Sequence, residues 1–194
     1  MKTVKSTANY VEPGSGKEEL LPIELRPNVW QLDATRKLTV TTGRTGLKIA
    51  LHTDAPDGLL RCLMLTAERW RLLVEAIPAI ADALHSAVYD TDSQVEFERH
   101  IGRNVYVTVS AQYCVVDIRE RYLPEGSKLL INTRRGMSLK AKTWKKLKAL
   151  IPILDERVPG LKEAIPCVYR EDHNNQLGYL ACSECCPNGE DFIC

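Results

Sequence analysis

A chain of 194 residues, 44% hydrophobic and 26% charged, is long enough for one ordinary domain or two small ones and too apolar for a disordered polymer. No window approaches the roughly 20 consecutive apolar residues of a membrane span, and Met1 to Gly16 lacks the apolar centre of a secretory leader, so a soluble, non-secreted protein with no membrane partner is expected. The formal net charge of +1 conceals a segregation, because Arg99 to Lys148 carries twelve Lys and Arg against three Asp and Glu, whereas Asp155 to Cys194 carries three against eight.

Residues 1–28 have dispersed charges, a Pro13-Gly14-Ser15-Gly16 run and no sustained period, and read as a flexible arm. Gly14-Ser15-Gly16-Lys17 lacks the earlier Gly, the following Ser or Thr and the preceding strand of a phosphate loop.

Residues 29–84 form a first unit. Leu38 and Val40, then Leu47, Ile49 and Leu51, alternate on either side of Thr42-Gly43-Arg44-Thr45-Gly46, a hairpin loop with two glycines available for positive φ. Leu59 to Leu63 supplies a further strand. Thr66 then caps a helix whose Trp70, Leu73, Val74, Ile77, Ile80, Ala81 and Leu84 share one face. Residues 85–100, polar and acidic, read as a linker.

Residues 101–158 repeat the order. Val105, Val107 and Val109 alternate, Tyr113 to Tyr122 is a long strand, Leu129 to Ile131 or Gly136 to Ser138 closes the sheet, and Lys140 to Val158 is an amphipathic helix on Trp144, Leu147, Leu150, Ile151 and Leu154. Leu65, Ala67, Trp70, Leu73, Ile77 and Pro78 recur 74 residues on as Leu139, Ala141, Trp144, Leu147, Ile151 and Pro152, which reads as an internal duplication. The strands keep a different offset, since Leu38 to Val40 matches Val107 to Val109 at 69. A unit of some 50 residues buries too little surface alone. The expected fold is therefore α+β: two tandem units, each a curved antiparallel sheet with one C-terminal helix, packed through those helices as an intramolecular pseudo-dimer that needs no second chain.

The stretches Arg103-Asn104-Val105-Tyr106-Val107, Asp117-Ile118-Arg119-Glu120-Arg121-Tyr122, Arg134-Arg135-Gly136-Met137-Ser138-Leu139 and Trp144-Lys145-Lys146-Leu147 resemble the positive cofactor 4 family of RNA polymerase II transcriptional coactivators and single-stranded-DNA-binding proteins. The resemblance implies a four-stranded curved sheet with one helix per subunit and single-stranded DNA, or unwound duplex, along the concave face. By position it assigns nucleic-acid contacts to Arg103, Arg119, Arg121, Lys128, Arg134 and Arg135, with Tyr122 and the hairpin-tip Tyr113 as stacking aromatics. The hairpin departs from the family in being about two residues shorter and in lacking its usual lysines. In the degenerate first unit, which lacks the Asp-Ile-Arg-Glu signature, Arg44, Lys48 and Arg61 are the comparable cations, with Lys37 an outlier.

The residues themselves leave alternatives. A basic block suits a polyanion, most commonly nucleic acid, or is a solvated surface. Single-strand binding needs a positive groove with flat side chains on which bases stack. Arg119 has Asp117 and Glu120 as structural ion-pair partners, and Trp70 and Trp144 belong to the core rather than to base stacking.

Residues 159–194 form a cysteine-rich tail. Cys182-Ser183-Glu184-Cys185 has zinc-knuckle spacing, with Cys186 and Cys194 completing one ligand set and Cys167 and His173 as further candidates. A reduced tail without metal, and no cofactor at all, is the alternative. No nucleophile–base pair stands out, and His52, His85, His100 and His173 are dispersed, so no enzyme is expected. The functional expectation is single-stranded DNA binding in transcription regulation or replication, nuclear in a eukaryote or virus. The alternative is a protein-interaction adaptor for the transcription or replication machinery.

Overall fold

The computed structural model describes residues 22–89, 97–110, 112–173 and 175–189. Two antiparallel sheets, each running directly into a long helix, make an α+β architecture. The first sheet holds β1 Ile23–Arg26, β2 Val29–Gln31, β3 Arg36–Gly43, β4 Gly46–Asp54 and β5 Leu60–Thr66 in chain order and leads into α1 Ala67–Tyr89. The second holds β6 Phe97–His100, β7 Val105–Ser110, β8 Val115–Tyr122 and β9 Ile131–Lys140, also in chain order, and leads into α2 Ala141–Arg157. Two short helices follow, α3 Pro159–Lys162 and α4 Gln176–Ala181.

The alternating strands form where their period-2 pattern places them. The β3–β4 hairpin pairs Gly43 with Gly46 around Arg44 and Thr45, and only Gly46, at φ +91°, takes the left-handed backbone expected of both glycines. Thr66 caps α1 through its Oγ1, which accepts from the Arg69 amide at 3.4 Å. Both long helices run on through their internal prolines, Pro78 and Pro152.

Four boundaries differ from the sequence reading. β1 lies within the expected N-terminal arm and β6 within the expected linker, while α1 runs on to Tyr89. Both strands are short and charged, Ile23-Glu24-Leu25-Arg26 and Phe97-Glu98-Arg99-His100, so they carry little apolar period of their own and are ordered by pairing to β2 and β7. The expected tail also begins inside the core, since Leu161 of α3 is fully buried.

Register shows how closely the two sheets match. In the first, Leu38↔Leu51↔Leu63 and Val40↔Ile49↔Leu65 are consecutive inward rungs; in the second, Val107↔Ile118↔Met137 and Val109↔Val116↔Leu139 are. All twelve side chains are buried. Corresponding residues stand 69 apart in β3 and β7, 67 apart in β4 and β8, and 74 apart in β5 and β9, because the β3–β4 hairpin is longer and the β4–β5 connection shorter than their counterparts. The turns before β3 and β7 also match: the Leu32 amide donates to the Arg36 carbonyl, and the Ile101 amide to the Val105 carbonyl, each at 2.9 Å.

One hydrophobic cluster runs through both halves, with Trp70 and Trp144 each 1% exposed and Trp30 2%. Leu73, Ala76, Ile80 and Ala83 form a buried stripe on α1, which lies against β4 and β5 of its own sheet and against β7 of the other. β9 meets β5 and β4. The principal joint is thus helix on sheet and strand beside strand, where helix on helix was expected; the small side chains of Ala76 and Ala83 suit that close seating.

Candidate nucleic-acid interface

In β8, Val116 and Ile118 point into the core, so Asp117, Arg119 and Arg121 stand on the opposite, open face of the second sheet. Asp117 is the hub. It accepts two bonds from the Arg119 guanidinium, at 2.8 and 2.9 Å, and one from the Ser138 hydroxyl. Arg119 also donates to the Thr133 carbonyl at 2.9 Å. Hydrogen bonding to Asp117 raises the Arg119 pKa above its ordinary value, against the opposing effect of burial. Gly136 pairs with Arg119 across the ladder, and a Cβ there would stand 2.9 Å from the Arg119 stem and from the Ile118 carbonyl oxygen. The Asp-Ile-Arg and Gly-x-Ser segments are therefore two halves of one interlocked structure, and the structural ion pair weighed for Arg119 is the arrangement found.

Arg121 is occupied in the same way. It pairs with Glu98 of β6 at 2.8 Å, donates to Asn132 at 3.1 Å and stacks over the Tyr106 ring at 4.6 Å. Sequence reasoning missed Glu98, which fell in the presumed linker; its signal was a carboxylate one strand away from a basic ladder.

The remaining cations lie in the turn before β7, in the β8–β9 connection and on β9, and Arg103 and Arg135 border a hollow with Glu120 and with Cys62 and Met64 of the first sheet, away from the Arg119 face. Arg103, Lys128 and Arg134 are exposed, and among the described residues no carboxylate pairs with them. Arg135 is exposed with one long contact to Glu120, at 3.3 Å. Tyr113 at the tip of the β7–β8 hairpin and Tyr122 at the end of β8 are 69% and 49% exposed. In the first sheet, Arg44 sits exposed in the hairpin turn, Lys48 is half-buried and Arg61 is paired with Asp57 at 3.0 Å. The rungs that carry Asp117 and Arg119 in the second sheet carry Ala50 and His52 in the first, so the ion-pair hub has no counterpart there. Burial, reinforced by Lys37, pushes the His52 pKa down, and its Nε2 lies 3.0 Å from the Thr39 hydroxyl.

Four of the tail candidates come together among the described residues. Cys167, His173, Cys182 and Cys185 place their ligand atoms within 4.8 Å of one another. Cys186 turns away and donates to the Gly189 carbonyl at 3.2 Å, because the tight turn after Cys185 points adjacent side chains apart. Cys194 lies outside the described residues. Burial opposes ionisation of Cys182, but His173 and the backbone amides of Cys185 and Glu184 outweigh it and bring the thiol to about 7.

This tail is fastened to both halves. Glu184 pairs with Arg69 of α1 and its carbonyl accepts from the Arg103 amide at 2.8 Å. Tyr169 donates to Glu75 at 2.7 Å, and Asn188 and Asn104 exchange two bonds at 2.7 and 3.1 Å. Between tail and body lies a cleft of about 530 Å³, lined among others by Leu47, Arg69, Leu72, Arg99, Ile101 and Tyr169.

No family model matches the chain. It is similar to a Caenorhabditis elegans protein named "Putative RNA polymerase II transcriptional coactivator", with 39% identity over 72 residues, which is 35% of this chain and 55% of that protein. The chain thus spans about half the length of the relative. The likeness is to a protein named for transcription regulation. No helix among the described residues is long and apolar enough to cross a membrane.

Proposed function

We propose that this protein binds single-stranded DNA in transcription regulation, as a tandem duplication folded into a pseudo-dimer. The observation that carries the reading is the placement of Arg103, Lys128 and Arg134, without acidic partners among the described residues, with exposed Tyr113 and Tyr122 around one sheet. Phosphates take cations, and bases take exposed aromatic faces. Asp117, Arg119 and Arg121 then serve as the rigid floor, holding β8 and β9 in register beneath the strand. The matching rungs support the duplication, and the meeting of the equivalent strands β5 and β9, with Thr143 against Asp33 and Arg69 against Gly102, supports an approximate two-fold relation between the halves. The similarity to a protein named as a coactivator supports the transcriptional setting and, with it, a nuclear location.

A titration of labelled oligo-dT and of matched duplex across a salt series tests this. Single-strand binding that outlasts duplex binding and falls with log salt at about −0.7 per phosphate contact is expected. Equal affinity for both forms, or no binding at moderate salt, overturns it. The neutralised state of Arg119 and Arg121 favours a second reading, an adaptor that docks transcription proteins on this face. Replacing Arg134 and Arg135 by Ala separates the two, since an adaptor keeps its coactivation after that change and a DNA binder loses it.

A further inference from the structure

The tail after Leu161 has too little apolar burial to hold its own shape. Its two 3₁₀ turns, Cys167–Tyr169 and Glu171–His173, and α4 contain no buried residue, and Ile165, Tyr169 and Leu177 are exposed. Segments of this kind are held by cross-links or metals rather than by a core. The thiols of Cys167, Cys182 and Cys185 are free. The Cys167 sulfur lies 3.3 Å from that of Cys185 and 3.9 Å from that of Cys182. A tetrahedral zinc site, with Zn–S bonds of about 2.3 Å, has sulfur–sulfur edges of ~3.8 Å.

His173 supplies an independent indication. Its Nδ1 is 2.9 Å from the Asp172 carboxylate, which fixes the ring, while its buried Nε2 is turned to the Cys182 thiol. The side chain is 6% exposed. An imidazole bonded to a carboxylate through one nitrogen and presenting the other to a cluster of sulfurs has the arrangement of a zinc ligand.

We propose that Cys167, His173, Cys182 and Cys185 bind one structural Zn²⁺ that locks the tail across the joint between the two halves. Binding releases one proton from each thiol to solvent, and three thiolates with one neutral imidazole leave the site with a single net negative charge. Glu184 lies between two of the ligands, so the ion holds its carboxylate on Arg69 and its carbonyl on the Arg103 amide. It also fixes Cys167 and Cys185 in the wall of the 530 Å³ cleft.

The full chain, reduced and purified without chelator after zinc-supplemented expression, provides the test. Elemental analysis is expected to give one zinc per chain, and cobalt exchanged into the site should show tetrahedral d–d bands with thiolate charge transfer. Cys182→Ser and Cys185→Ser should lose the metal, while Cys62→Ser and Cys186→Ser keep it. Chelation should raise hydrogen exchange across residues 163–189 and leave β7 and β8 protected. Absence of stoichiometric zinc after anaerobic reconstitution, a cobalt spectrum without thiolate bands, or retention of the metal in Cys182→Ser overturns the site. Should the serine variants fail to fold, the zinc content and cobalt spectrum of the unaltered protein decide it. None of these readouts depends on DNA binding.

Discussion

The Thr143 hydroxyl at the start of α2 donates to the Asp33 carboxylate, 2.9 Å away in the turn between β2 and β3 of the other sheet. Thr143 occupies the position in α2 that Arg69 occupies in α1, and Asp33 the position in its turn that Gly102 occupies in the second. The opposite contact is built from those counterparts, since Arg69 lies against Gly102. Glycine offers no carboxylate there; Glu184 of the tail occupies the space and pairs with Arg69. Each helix start is thus anchored to the turn of the opposite sheet, once from within the turn and once by the tail.

Thr143→Ala removes one such anchor and is expected to cost about 1 kcal/mol at pH 7, read from urea unfolding. Burial alone would raise the Asp33 pKa, but the Thr35 amide, the Thr143 hydroxyl and Arg36 together hold it below the usual carboxylate value of 3.8. A lowered folded pKa contributes stability above the unfolded value, and that contribution is lost as pH falls through the folded one. The deficit of Thr143→Ala should therefore be full above pH 3.8 and shrink below it.

Glu184→Ala should be the more damaging change. Arg69 is 8% exposed, and removing its partner leaves a buried cation unpaired, at a cost of about 3 kcal/mol. Arg69→Met replaces the guanidinium by an apolar chain of similar length and leaves the half-exposed Glu184 to water, so its loss of stability in urea unfolding should be smaller. The reverse order would mean that Arg69 is solvated.

Gly136→Ala drives a methyl group into the Arg119 stem and the Ile118 carbonyl oxygen, both 2.9 Å from its Cβ. A flexible side chain can move but the ladder backbone cannot without shifting a strand, so a loss of about 1–3 kcal/mol is expected. Thermal unfolding measures it. Ser138→Ala removes only one bond to Asp117 and should cost less.

The helices and the inward rungs were legible because burial imposes periods on the residues themselves: Trp70 and Trp144 begin their buried faces, and Leu38, Val40, Val107 and Val109 alternate as half-buried strands must. β1 and β6 were not legible, because each takes its order from a partner strand. The binding face was legible in composition and not in charge state. Arg121 looks like a free cation in sequence, and only the pairing of β6 with β7 brings Glu98 to it. All four converging tail ligands stood among the sequence candidates, Cys182 and Cys185 through the Cys-x-x-Cys spacing; that Cys167 and His173 complete the set depends on two 3₁₀ turns that no periodicity announces.

The charge states of the face make a direct expectation about DNA. Arg134 is exposed and has no acidic partner among the described residues, whereas Arg119 is committed to Asp117 and Thr133. On the proposed function, Arg134→Ala should weaken oligo-dT binding and make the salt slope shallower by about 0.7, one phosphate contact's worth, with little change in stability. Arg119→Ala should do the opposite. It strips Asp117 of its guanidinium and the Thr133 carbonyl of its donor, so unfolding should be easier by about 1–3 kcal/mol while the salt slope of the folded protein stays nearly unchanged. Paired anisotropy titrations and urea curves on the two variants separate a phosphate contact from a floor beam. A slope change in Arg119→Ala equal to that in Arg134→Ala would show that Arg119 leaves Asp117 for phosphate when DNA arrives.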